Sequence, residues 1–101
     1  MIVSDAELIA SLTRDHAADK RIGFARLSFD LLGVEVVRSI HAAAARSDRL
    51  VVAVVETDQP SVISLDDRAE LVDGIRGVDY VIVCTKEQEA RLIDLLAPYA
   101  K

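Results

Sequence analysis

Cysteine, tryptophan, proline and aromatic residues are all scarce in this chain of 101 residues. It has one cysteine, no tryptophan, two prolines and four aromatic side chains. A single cysteine excludes a disulfide scaffold, and so few aromatics provide no stacking platform for single-stranded nucleic acid. Basic residues number 12 against 17 acidic ones, for a formal net charge of −5. Because no basic cluster is present to neutralise phosphates, we expect no nucleic-acid partner.

Long apolar runs and low-complexity segments are also lacking. No stretch approaches the roughly 20 apolar residues that span a bilayer, and the amino-terminal residues do not follow the signal-peptide pattern. No linker or internal repeat divides the chain. The hydrophobic fraction of 51% suits one small core. We therefore expect a single soluble, cytoplasmic domain over residues 1–101 with no membrane partner.

The sequence contains an alternation of helix and strand signals. Ser4, Ser64 and Thr85 each begin a helix-capping sequence, and unbroken β-branched runs predict strands that are covered on both faces. The predicted elements are helices over about 5–18, 34–46, 64–77 and from 85 onward, and strands over 21–27, 50–55 and 80–83. This order predicts an α/β, Rossmann-like three-layer fold with a three-stranded parallel sheet and flanking helices. Ligands of such sheets bind beyond the carboxyl ends of the strands, here segments 28–35, 56–64 and 84–86.

One of these segments carries a family resemblance. Ser28-Phe29-Asp30-Leu31-Leu32 resembles the opening of the Cys-Phe-Asp-Leu-Leu-His-x-Gly-His signature of cytidylyltransferase-like nucleotidyltransferases. Segments 48–54 and 67–83 are similar to the next strand, helix and strand of that family. The likeness is greatest with the adenylyltransferase domain that activates heptose 1-phosphate, followed by glycerol-3-phosphate cytidylyltransferase. Since the family continues past the position of Lys101, the resemblance implies a truncated nucleotidyltransferase fold.

The phosphate-handling part of the signature is altered. Where the family has His-x-Gly-His, the chain has Gly33, Val34, Glu35 and Val36. The resemblance implies that the two imidazoles donate hydrogen bonds to nucleotide phosphates as charge builds in the transition state. Neither Gly33 nor Val36 has a side-chain donor, and Glu35 adds a carboxylate at the position of the glycine. An acidic residue in a first helical turn is also favourable without any ligand. The departures predict a non-catalytic domain with no assigned catalytic residue.

Two other residues fall on family positions. Asp30 resembles the acidic residue near the reacting phosphates, and Arg68 resembles the arginine at the start of the third helix, so both are candidates for residual ligand binding. Simpler interpretations are that Asp30 binds loop amides and that Arg68 is an exposed first-turn residue. No basic residue lies between Arg49 and Arg68, where the family binds phosphates. We expect no cofactor, and magnesium only together with a nucleotide if activity remains.

The remaining reactive side chains give weak signals. His16 and His41 lie on separate predicted helices without a carboxylate or cysteine at ligand spacing, so no metal site is predicted. Cys84 has no base paired with it, which favours a small buried hydrophobe over a nucleophile.

The first strand has the pattern of a sheet edge. Arg21, Gly23 and Arg26 interrupt it, whereas the other two strands are almost purely apolar. An open edge is a template for pairing, so we expect a homodimer or a homologous protein partner through strand 21–27. We favour association, as a scaffold or regulatory subunit, over two alternatives. These are a residual nucleotide or sugar-phosphate binding module, and an atypical nucleotidyltransferase acting on a sugar or polyol phosphate.

Overall fold

The computed structural model describes residues 1–27, 34–56 and 64–99. Four helices and three strands alternate along them. In chain order they are α1 (Asp5–Ala17), β1 (Ile22–Leu27), α2 (Val34–Ala45), β2 (Arg49–Val55), α3 (Leu65–Asp73), β3 (Tyr80–Cys84) and α4 (Lys86–Leu96), followed by a 3-10 turn (Ala97–Tyr99). The predicted α/β fold with a three-stranded parallel sheet is confirmed.

The sheet has the order β1-β2-β3, and both strand pairs are parallel. Phe24 of β1 is in register with Val51 of β2, which in turn is in register with Tyr80 of β3. Helices α1 and α4 cover one face of the sheet, and α2 and α3 cover the other. The central strand is buried on both faces, which explains its continuous run of branched apolar residues.

The helix starts follow the caps indicated by the sequence. Ser4 and Thr85 form capping boxes with Glu7 and Gln88, and the Ser64 hydroxyl accepts from the Asp67 amide. The Ser4 amide donates to Glu7, and this bond lowers the pKa of that carboxyl. These caps satisfy amide groups that the first turn of a helix leaves without partners.

Helix α3 ends earlier than its sequence pattern suggests. It closes at Asp73, with Gly74 as the carboxyl cap in a right-handed conformation, rather than near Gly77. Gly77 does adopt a left-handed conformation, with φ of 98°, but in the turn that leads to β3. A Cβ atom at Gly77 would lie 2.8 Å from the Cβ of Ala44. Glycine at residue 77 therefore allows this turn to pass close to α2.

The outer edge of β3 is covered by the amino-terminal residues. Ile2 forms a parallel bridge with Val81, the Val3 amide donates to the Val81 carbonyl at 2.9 Å, and the Val81 amide donates to the Met1 carbonyl at 2.8 Å. The amino group of Met1 also pairs with Asp73. Within the described residues, no strand covers the outer edge of β1 in the same way.

A buried polar cluster joins α1 to the amino ends of β2 and β3. Asp15 is only 6% exposed, and its Oδ2 accepts a hydrogen bond of 2.6 Å from the Tyr80 hydroxyl. The Arg49 Nε lies 3.8 Å from the same oxygen. Burial, followed by the contact with Asp15, raises the pKa of Tyr80. The cluster lies at the amino end of the sheet, opposite the carboxyl ends of the strands, which indicates a structural role.

Among the residues described, no helix has the length and apolar character needed to cross a bilayer.

Replacing Tyr80 with phenylalanine should lower the free energy of unfolding by about 1–3 kcal/mol, because the buried Asp15 loses a donor.

The raised pKa of Tyr80 means that the folded state favours the neutral phenol. That stabilisation is complete below the unfolded pKa near 10 and decreases as the pH rises through the higher folded value. Urea titrations should therefore show less alkaline loss of stability in Tyr80→Phe than in the unaltered chain. Tyr99→Phe is the control, since its hydroxyl bonds Thr13 at the surface, and it should cost less. Equal effects would contradict the prediction.

Replacing Gly77 with alanine should destabilise the fold by about 1–3 kcal/mol, because the new Cβ combines backbone strain with close contact to Ala44. Gly74→Ala is the matched control, since its φ is −80° and its Cβ would be 3.5 Å from the nearest atom. It should be neutral or stabilising by up to about 1 kcal/mol. Thermal unfolding of both variants tests this difference, and a stable Gly77→Ala protein would disprove it.

Candidate functional site

The candidate site is the edge of the sheet where the three strands end. Because all the strands are parallel, Leu27, Val55 and Cys84 lie at this one edge. Helices α2, α3 and α4 follow these strands, so their amino ends, which attract anions, are at the same edge. Segments 28–33 and 57–63 lie outside the described residues. The candidate positions Asp30 and Gly33 are in the first of these segments.

Glu35 places a negative charge at the amino end of α2. It is exposed in the first turn of that helix, beside Val34, which is 66% exposed. Val36 is half-buried and packs against the core beneath α2 and α3. The three described positions of the altered signature thus present a carboxylate and two aliphatic side chains. No side chain among them can donate a hydrogen bond to a phosphate.

Arg68 lies near the amino end of α3 and is buried, with 5% of its surface exposed. Its amide donates to the Ser64 carbonyl at 2.9 Å. The expectation of an exposed first-turn arginine is therefore wrong. Since α2 and α3 share one face of the sheet, Arg68 and Glu35 lie near the amino ends of two helices on the same side of this edge.

Cys84 at the end of β3 is buried and has the character of a neutral thiol. It is 3% exposed, and its Sγ lies 3.9 Å from the Val54 carbonyl. Burial raises the pKa of the thiol, and the charges of Glu89 and Asp5 add to the effect. A thiol of this kind is a poor nucleophile, which agrees with its interpretation as a small buried hydrophobe.

Within residues 1–27, 34–56 and 64–99, no three histidine, cysteine, aspartate or glutamate side chains are grouped so that they could hold a metal ion. His16 instead makes an edge-to-face contact with the ring of Tyr99, with 5.7 Å between the ring centroids.

A second surface lies along the open side of β1, where it meets α4. Phe24, Ile93, Leu96 and Ala97 line an apolar groove there. Its neighbouring stretch is bordered by Arg26 and Glu89, which form an ion pair. This pair raises the pKa of Arg26. The groove is therefore apolar along its floor and charge-balanced at one end.

The sequence pattern indicates the strand that borders this groove but not the groove itself. Leu92, Ile93, Leu95 and Leu96 form one apolar stripe in the sequence of the last helix, yet Ile93 is 64% exposed and Leu95 37% exposed, while Leu92 is buried. Helical neighbours are about 100° apart. The adjacent apolar pairs in α4, Leu92 with Ile93 and Leu95 with Leu96, therefore cover more of the helix surface than one buried face needs. This excess of apolar residues was the signal in the sequence for an exposed apolar surface on α4.

Sequence comparison with known proteins finds relatives that align over nearly the whole chain. No family model matches the chain. The bifunctional protein HldE of Hydrogenovibrio crunogenus is 32% identical over 104 residues, and that of Bradyrhizobium sp. is 31% identical over 106 residues. These alignments cover 95% and 97% of this chain, but the chain spans only 22% of either relative.

A solved structure supports the fold independently. The lipopolysaccharide core biosynthesis protein from Thermoplasma volcanium superposes with a TM-score of 0.67 at 17% identity, covering 74% of this chain and 66% of that one. At this identity the likeness concerns the fold alone. Together with the HldE alignments, it confirms the resemblance inferred from the sequence. The chain is therefore a homologue of one segment of the HldE proteins, consistent with the resemblance to the cytidylyltransferase-like nucleotidyltransferases.

Proposed function

We propose that this nucleotidyltransferase-like domain is non-catalytic and acts by associating with another protein, as a scaffold or regulatory subunit. The observation that carries the proposal is Glu35, a carboxylate exposed in the first turn of α2, where the family signature has a glycine between two histidines. This residue lies at the edge of the sheet where related enzymes would position nucleotide phosphates.

The balance of charges at this position argues against a nucleotide. A helix amino end stabilises an anion by about 0.3–1 kcal/mol. Two like charges about 4 Å apart repel by about 4 kcal/mol at an effective dielectric constant near 20. Even with substantial screening by water, a carboxylate there offsets what the helix end offers a phosphate. Gly33 and Val36, which replace the two histidines, have no side-chain donor to compensate.

The substitutions at the two histidine positions of the signature would also remove stabilisation of the transition state of nucleotidyl transfer. Preorganised donors aimed at developing charge contribute about 3–4 kcal/mol each in enzymes that use them. The chain lacks both imidazole donors of the signature, and no basic residue lies between Arg49 and Arg68 in the segment after β2. Without these groups, phosphoryl transfer would lack the electrostatic support that the family signature provides.

A second candidate function is a binding module for a nucleotide or a sugar phosphate. The position of Arg68 favours it, because the residue lies near the amino end of α3 at the carboxyl edge of a parallel sheet, and guanidinium groups suit phosphates. Asp30 is the other residue assigned to this candidate. An atypical nucleotidyltransferase, with magnesium entering together with the nucleotide, is the remaining alternative and requires release of pyrophosphate.

Calorimetric titration of the chain with magnesium ATP and magnesium CTP should give no saturable heat at millimolar nucleotide, because Glu35 repels the phosphates and the histidine donors are missing. Sugar phosphates should likewise give none. Saturable heat that disappears in Arg68→Gln would instead establish the binding module. Pyrophosphate release in the presence of a sugar phosphate would establish an enzyme.

Restoring the signature should restore nucleotide affinity. The triple variant Gly33→His, Glu35→Gly, Val36→His returns two donors and removes the carboxylate, so we expect at least about a tenfold gain in affinity, equivalent to about 1.4 kcal/mol. Glu35→Gln alone is the matched control and should recover only the part that is due to charge. Circular dichroism checks that each variant is folded. A folded triple variant that still binds no nucleotide would show that the signature is not the main defect.

A further inference from the structure

We draw no further inference here: the strongest candidate, the apolar groove between β1 and α4 that Phe24, Ile93 and Leu96 line, carries none, because nothing in the part of the chain that the structure describes shows what covers it.

Discussion

Burial of β2 on both faces is the constraint on which the rest of this structure depends. Leu50, Val52 and Val55 are completely buried, and Val51 and Val54 are 1% exposed. Such a strand needs a neighbour on each edge for its backbone groups and a helix layer on each face for its side chains. Its two parallel neighbours then require crossover helices, and short connections place the ends of all three strands at one edge.

The carboxyl edge and the side of β1 are different surfaces with different chemistry. At the carboxyl edge, helix amino ends meet polar side chains, and the sign of each charge decides whether a phosphate can bind. Glu35 opposes such binding, and the buried Arg68 is the feature that favours it. Along β1 the important terms are main-chain hydrogen bonding and apolar area, which a change of charge at α2 leaves untouched. The proposed loss of phosphate handling at the carboxyl edge therefore leaves the apolar side of β1 unchanged.

The alignment with HldE proteins bears on the proposed loss of nucleotide binding. The chain aligns over nearly its whole length with one segment of proteins of which it spans 22%, so the likeness concerns a domain. Within that domain the pattern of the sheet is kept, whereas the signature positions 33–36 differ from the family. The choice of residue at a core position is constrained by packing, and the choice at a site position is constrained by the ligand. The proposed loss of nucleotide binding would release only the second of these constraints.

Local chemistry in the sequence determined the order and type of the elements, because caps, β-branched runs and apolar periodicity act over a few residues. Ser4, Ser64 and Thr85 predicted three helix starts, and the composition of strand 21–27 predicted its place at the edge. Tertiary structure decided the rest. The end of α3 at Gly74, the burial of Arg68, the contact of Tyr80 with Asp15 and the exposure of Ile93 each depend on which distant elements pack together. A helical stripe is equally apolar whether a neighbour covers it or not, so only the packed sheet showed that part of α4 faces an open groove.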